Sequence, residues 1–108
     1  MDDRELLELA AKAAGIAVQW KEDGRSFQVV RGLPFTWNPL TDDGDALRLA
    51  VRLGITVGPE SPDVIGKSIC RASWNNRTMS LGEYGGGDSG LAFRRAIVRA
   101  AAEIGRAM

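Results

Sequence analysis

An acidic cluster is the first place where this sequence could bind a cation, because Asp42, Asp43 and Asp45 stand around Gly44. Calcium loops of the EF-hand type need oxygen ligands at alternate positions and a glutamate about twelve residues after the first ligand. Here Leu53 stands at that distance, inside a helical pattern that has already begun. The cluster is therefore predicted to cap a helix and to match its positive N-terminal end, with no metal bound.

A glycine-rich segment before the last predicted helix is the second candidate. The residues concerned are Gly85, Gly86 and Gly87 in the segment and Arg94 and Arg95 on the helix. Glycine amides can turn toward an anion, and a helix N-terminus favours negative charge. The segment lacks a Walker lysine and the spacing of a dinucleotide fingerprint, and the aspartate that follows it would repel a phosphate. Two interpretations stay open: a flexible connection with a helix cap, or a contact for a nucleotide or another anion.

Trp37 is the third candidate, as an anchor for a partner. It stands in a segment with a proline on each side, where a place in the core is not assured. Aromatic side chains in such segments often anchor partners, so we expect Trp37 to be exposed beside Arg94 and Arg95. Trp20 and Trp74, in contrast, are predicted to lie in the core or on a hairpin face.

Enzymatic chemistry has little support in the residue types. The sequence contains no histidine and one cysteine, Cys70, which removes intramolecular disulfides, cysteine-histidine zinc sites and histidine-based triads. No pair of carboxylates has a spacing that specifies glycosidase or aspartyl chemistry. We expect a protein with no enzymatic activity, no cofactor and no metal.

Composition sets the remaining limits. The 108 residues suit one domain with a single modest core. Fourteen basic and fourteen acidic residues give a net charge of zero, which argues against nucleic acid and anionic lipid as partners. No leader pattern opens the sequence, and no apolar run approaches the roughly 18 residues of a membrane span. We expect a cytoplasmic protein with no membrane partner.

Three predicted helices and two predicted hairpins position these candidates. The helices are expected over residues 4–14, over the acidic cluster as far as the stop at Gly54, and over about 90–107. Strands at 16–20 and 26–31 form the first hairpin, and strands at 64–72 and 78–84 form the second around a turn at Asn75 and Asn76. A short strand is also expected at 55–57. The order of the main elements is α-β-β-α-β-β-α.

Hairpins in place of βαβ crossovers indicate an α+β protein with a small, mostly antiparallel sheet. Three helices are too many for one face of a short sheet, so we expect a three-layer α/β/α sandwich, with all helices on one face as the alternative. The arginines of the last helix, including Arg94 and Arg95, are predicted to face water. The residues expected in the core on the helices are Leu47, Ala50, Val51, Phe93, Ile97 and Ile104.

Two stretches carry a resemblance to known proteins. Residues 37–46, with the sequence WNPLTDDGDA, lead into the middle helix, and residues 93–100, FRRAIVRA, lie on the last helix. Together they resemble small accessory proteins of tailed phages and prophages, and the chain is similar to the phage α-β-α sandwich domain group. The resemblance implies a phage or prophage origin, a layered fold and expression inside a bacterial host. It assigns no catalytic or ligand residue.

These observations together predict a non-enzymatic accessory protein of phage or prophage origin that acts by binding. Inhibition of a host enzyme or defence complex is the first hypothesis, with a host protein as the partner. The second is an oligomeric protein that sequesters a nucleotide or another anionic small molecule between subunits. The candidate residues for either kind of binding are Trp37, Gly85, Gly86, Gly87, Arg94 and Arg95.

Overall fold

The computed structural model of the chain describes residues 2–20, 27–29, 36–59, 68–83 and 89–108. Over these residues the elements follow in the order α-β-β-β-α-β-β-β-α. The helices are α1 (Asp3–Ala14), α2 (Asp43–Leu53) and α3 (Ser89–Arg106). The strands are β1 (Val18–Trp20), β2 (Phe27–Val29), β3 (Thr36–Trp37), β4 (Thr56–Pro59), β5 (Ser68–Trp74) and β6 (Arg77–Glu83).

The ends of the first two helices confirm the predicted signals. Asp2 caps α1 by accepting from the backbone N–H of Glu5, and Asp42 caps α2 by accepting from that of Asp45, each at 2.8 Å. Gly15 and Gly54 end the two helices in the left-handed conformation, both with φ of 68°. The acidic cluster therefore begins α2, as expected.

The strands form two three-stranded antiparallel sheets, in the orders β1-β2-β3 and β4-β5-β6. The β5–β6 hairpin turns at Asn75 and Asn76, which have φ of 45° and 65°. Asparagine tolerates this conformation, and two such residues give the turn that matches the twist of a hairpin. The α+β class and the antiparallel pairing are confirmed. The structure adds the unpredicted strand β3 to the first hairpin, and the short strand predicted at 55–57 pairs with the second hairpin as β4.

Helix α3 is the element that contacts most of the others. It packs against α1 and α2 and against all three strands of the second sheet. Its buried residues are mostly alanines, which let neighbouring elements approach closely. The three-layer arrangement of helices around a sheet stays a prediction.

The crossing of α1 and α3 is closest at Gly105. A Cβ atom built on Gly105 would lie 2.9 Å from the carbonyl carbon of Leu9, and closer still to its oxygen. Glycine is therefore required at this position by the backbone of the neighbouring helix. The alanines Ala10 and Ala101, both fully buried, belong to the same core.

The predicted core is correct for α3 and wrong for part of α2. Ile97 and Ala50 are buried, and Phe93 and Ile104 are partly buried against the core. Leu47 and Val51, however, are 64% and 74% exposed. The face that α2 turns to the core is instead formed by Ala46, Leu49 and Ala50, with Leu53 partly buried beside them. These positions follow the i, i+3, i+4, i+7 spacing of one helical face, and Leu47 and Val51 form a second apolar row outside it.

Candidate functional site

An open, mostly apolar groove runs along α2, and we call it the α2 groove. Its volume is about 540 Å³. The residues that line it are Ile16, Trp37, Asp45, Leu47, Arg48, Leu49, Val51 and Arg52. Concave surfaces of this size with apolar walls and a few polar groups are the usual form of a binding site.

The apolar part of the α2 groove combines a buried base with protruding side chains. Trp37 and Leu49 are only 4% and 2% exposed, so they form the base. Leu47 and Val51 lie one helical turn apart and reach out into solvent. Leu47 and Val51 therefore add an exposed apolar edge to the buried base of the α2 groove.

Asp45 is the buried polar member of the α2 groove, and it is fully occupied by structural contacts. One carboxylate oxygen accepts from the backbone N–H of Asn38 at 3.0 Å, and the other accepts from Arg48 at 2.7 Å. A buried charge is tolerated when it is paired and hydrogen-bonded in this way. Asp45 therefore holds the segment before α2 against the helix through these two hydrogen bonds.

The two arginines of α2 differ in their surroundings. Arg48 bonds Asp45 and lies 3.9 Å from Asp42, so its charge is compensated within the chain. Arg52 is exposed at the C-terminal end of the α2 groove, and no described residue pairs with it. The α2 groove therefore ends at an exposed positive charge.

The expected exposure of Trp37 is wrong. Its neighbour Asn38 is bonded to Asp45, and Pro39 and Leu40 after it are buried, so the whole segment is held down against the core. Trp37 also pairs with Phe27 across the β2–β3 ladder. It lies at the base of the α2 groove, where only a limited part of the ring can meet a ligand.

The expectation that Arg94 and Arg95 face water is also wrong. The Arg94 side chain is 16% exposed; its Nε donates to the Leu40 carbonyl at 2.9 Å and its Nη1 to Asp43 at 2.6 Å. The Arg95 side chain is 23% exposed and lies 3.5 Å from Asp3. The two arginines thus tie α3 to the starts of α2 and α1, which are the acidic ends of those helices. Gly85, Gly86 and Gly87, predicted beside them, lie outside the described residues.

The contacts of Arg94 predict a loss of stability when its side chain is removed. Arg94→Ala leaves the Leu40 carbonyl without its donor and should lower the free energy of unfolding by about 1–2 kcal/mol. Arg106→Ala is the matched control, since that side chain is 55% exposed and lies 3.6 Å from Glu103. Its effect should stay within about 0.5 kcal/mol. Urea unfolding of both variants checks this, and equal midpoints would contradict it.

The described ranges contain neither a cluster of metal-ligating side chains nor a helix able to cross a membrane. In these parts of the chain, no group of three or more histidine, cysteine, aspartate or glutamate side chains is placed to hold a metal ion. No helix in the same ranges is long and apolar enough to cross a membrane. Among the described residues, those of the α2 groove combine a concave apolar surface with two large exposed apolar side chains.

The sequence contained one signal for the α2 groove that the prediction did not use. Helix α2 has more large apolar residues than one face can bury, and Leu47 and Val51 form a separate row with i, i+4 spacing. A helix with two apolar rows can bury one row in the core of its own chain, here the row that contains Ala46 and Ala50. The other row then lies on the surface, where it can contact a partner.

Comparison with known proteins gives a likeness of fold. No protein family and no curated protein matches the sequence. Among solved structures, the chain is similar to a phage protein from Bacillus cereus ATCC 14579, determined at 2.0 Å. The TM-score is 0.54 at 13% sequence identity, and the match covers 93% of this chain and 92% of the other. The two chains share an α+β fold over nearly their whole lengths.

Proposed function

We propose that this chain is a non-enzymatic accessory protein of phage or prophage origin. It acts in the host cytoplasm by binding a host protein through the α2 groove, and binding inhibits that protein or the defence complex to which it belongs. The fold shared with a phage protein supports the origin. A sequence without histidine, and with one cysteine, suits a protein that acts by occupying a surface.

The observation that carries the proposal is the exposure of Leu47 and Val51. Single exposed apolar residues are common, but here two large ones adjoin each other at the edge of a concave apolar surface. Such apolar centres with a polar rim are typical of protein–protein interfaces. The rim is supplied by Arg48 and Arg52.

Sequestration of a nucleotide or another anion, the alternative hypothesis, receives less support. It relied on Arg94 and Arg95, whose charges are already matched by Asp43 and Asp3. An anion would have to displace these acidic partners before it could use the guanidinium groups. Protein binding at the α2 groove requires no such exchange.

Capture from a bacterial lysate with purified, tagged protein tests the proposal. Wild type should retain one host protein that mass spectrometry identifies, and Leu47→Asp should weaken its binding about tenfold or more, as expected for a central interface residue. Met108→Asp is the matched control, because Met108 is also apolar and 67% exposed but does not line the α2 groove. The control should bind like wild type.

The two variants also define the result that would contradict the proposal. Leu47 is exposed, so its replacement should leave the melting temperature nearly unchanged. If the folded Leu47→Asp variant binds the purified host protein as tightly as wild type, the α2 groove is not the binding surface.

A further inference from the structure

We infer that strand β6 binds β6 of a second copy of the chain, antiparallel and about a two-fold axis at Ser80. The three-stranded sheet β4-β5-β6 of each copy then continues across the axis into the sheet of the other. The inference concerns a strand edge and not α2, so it does not depend on the function proposed for the α2 groove.

Strand β6 is a long, regular edge of its sheet. It pairs with β5 on one side, and among the described residues no strand pairs with it on the other. Its seven residues keep an unbroken register with β5 and include neither proline nor lysine. The other edges of the described sheets are short: β1 has three residues, β3 has two, and β4 has four and ends in Pro59. Short strands, proline and lysine commonly protect sheet edges, and β6 lacks all three.

The hairpin turn determines which backbone groups of β6 point away from β5. Asn75 and Asn76 both have positive φ, so this two-residue turn joins Trp74 and Arg77 as a hydrogen-bonded pair. Hydrogen-bonded and non-hydrogen-bonded pairs alternate along an antiparallel ladder. Backbone groups therefore point to β5 at every second residue from Arg77 on, and they point to the free edge at Thr78, Ser80 and Gly82.

These three edge positions are complementary to themselves. A two-fold axis at Ser80 pairs Ser80 with its counterpart in the second copy, and it pairs Thr78 with Gly82. Each pair exchanges two N–H···O bonds, as in any regular antiparallel ladder. The pairing therefore uses every outward backbone group of β6 and leaves the ladder to β5 unchanged.

The residue types along β6 select this register and favour a second copy as the partner. With the axis at Ser80, Arg77 of each copy stands opposite Glu83 of the other, and Met79 stands opposite Leu81 in the same way. Opposite charges and apolar pairs directly across a ladder stabilise it. A shift of two residues either way shortens the ladder and sets Arg77 or Glu83 opposite an apolar residue. Arg77 is exposed, and no described residue pairs with it, so the second copy supplies its opposite charge.

The remainder of the fold leaves room for the pairing. Helix α3 packs on the buried face of the sheet, which carries Ala72 and Trp74, and mostly over β5. The two-fold axis is perpendicular to the sheet, so both copies of α3 lie on the same side. The two β5 strands stand three strand spacings apart, about 14 Å, which exceeds the distance of about 8–10 Å between packed helices. Strand β4 at the outer edge ends in Pro59, so the pairing closes as a dimer.

Sedimentation equilibrium of the full chain tests whether the dimer forms and where. Wild type should show a reversible monomer–dimer equilibrium. Ser80→Pro removes the outward N–H at the centre of the pairing and no bond to β5, and edge strands tolerate proline at such positions. The dissociation constant should rise at least about 100-fold, because both copies lose the bond. Ser80→Ala is the matched control, since it keeps the N–H, and it should dimerise like wild type.

Two results of this experiment overturn the inference. One is a wild type that stays monomeric up to its solubility limit, and the other is a dimer that a folded Ser80→Pro variant leaves intact. Leu47→Asp alters the α2 groove and not β6, so it should dimerise like wild type. Absence of the dimer refutes only the inference, and absence of host capture refutes only the proposed function.

A charge reversal and its compensation test the register. Arg77→Glu sets negative against negative at both ends of the paired strands and should raise the dissociation constant about tenfold. Adding Glu83→Arg to the same chain restores opposite charges at both ends and should restore the wild-type constant. If the double variant melts cooperatively but dimerises no better than Arg77→Glu alone, the register at Ser80 is wrong.

Amide hydrogen exchange followed by NMR tests the same edge without any substitution. Exchange at Thr78, Ser80 and Gly82 should be fast in dilute protein, because their N–H groups face solvent, and it should slow as the concentration rises. The amides that already bond β5 should change little over the same range. Exchange at these three residues that is independent of concentration overturns the inference, whether or not Ser80→Pro folds.

Discussion

Gly105→Ala is expected to lower the free energy of unfolding by about 2–3 kcal/mol, as overpacking of a core commonly does. On helix propensity alone the substitution should be favourable, because alanine stabilises a helix interior by about 1 kcal/mol relative to glycine. At Gly105, however, the added Cβ atom meets the backbone of Leu9 on α1. A backbone cannot turn aside as a side chain can, so α1 must move away from α3 and leave packing defects behind.

The control for this prediction is Gly44→Ala in the first turn of α2. There the added Cβ atom meets only the side chains of Arg48 and Asp42, at 3.2 Å, and these can shift. Its effect should stay within about 1 kcal/mol of wild type in either direction. Urea unfolding with circular dichroism measures both variants. If Gly105→Ala proves as stable as Gly44→Ala, the close crossing of α1 and α3 is not present in solution.

The features that sequence analysis predicted best are those set by local chemistry. The starts and stops of α1 and α2 follow from Asp2, Asp42, Gly15 and Gly54, each acting on backbone groups a few residues away. The turn at Asn75 and Asn76 is local in the same sense, because it depends on which residues accept positive φ. These features need no knowledge of what packs against them.

The local sequence does not show which of the two apolar faces of α2 is buried. Helix α2 carries two apolar rows, and both satisfy a helical period. Size suggests that Leu47 and Val51 belong inside, yet the row with Ala46 and Ala50 is buried. The deciding factor is close packing against α3, whose own buried residues are mainly alanines, and that contact joins parts of the chain about fifty residues apart.

The residues of the candidate site also combine features that the local sequence shows with features that long-range contacts determine. Trp37 and Arg94 stand out in the sequence, but their surroundings depend on long-range contacts. The segment of Trp37 is fixed by the bond between Asn38 and Asp45, and Arg94 is fixed by Leu40 and Asp43 across the α2–α3 contact. In the sequence these arginines resemble an exposed basic face. In the fold they form ion pairs within the chain, because the acidic N-terminal ends of α1 and α2 pack beside them.

The second large effect is expected for Ile97→Ala, which should lower the free energy of unfolding by about 2–5 kcal/mol. Ile97 is 5% exposed and belongs to the core around α3. Truncation removes buried apolar surface and leaves a cavity, which the alanines nearby are too small to fill. The urea midpoint should fall, and the slope of the transition should not change, because the surface exposed on unfolding stays nearly the same.

Leu47→Ala is the matched comparison, since it also shortens a large aliphatic side chain in the middle of a helix. Leu47 is 64% exposed, so little packing is lost, and we expect an effect within about 0.5 kcal/mol. The two variants thus compare a residue of the core, Ile97, with a residue of the proposed binding surface, Leu47. Equal losses of stability for both variants would place Leu47 in the core and leave the α2 groove without its exposed edge.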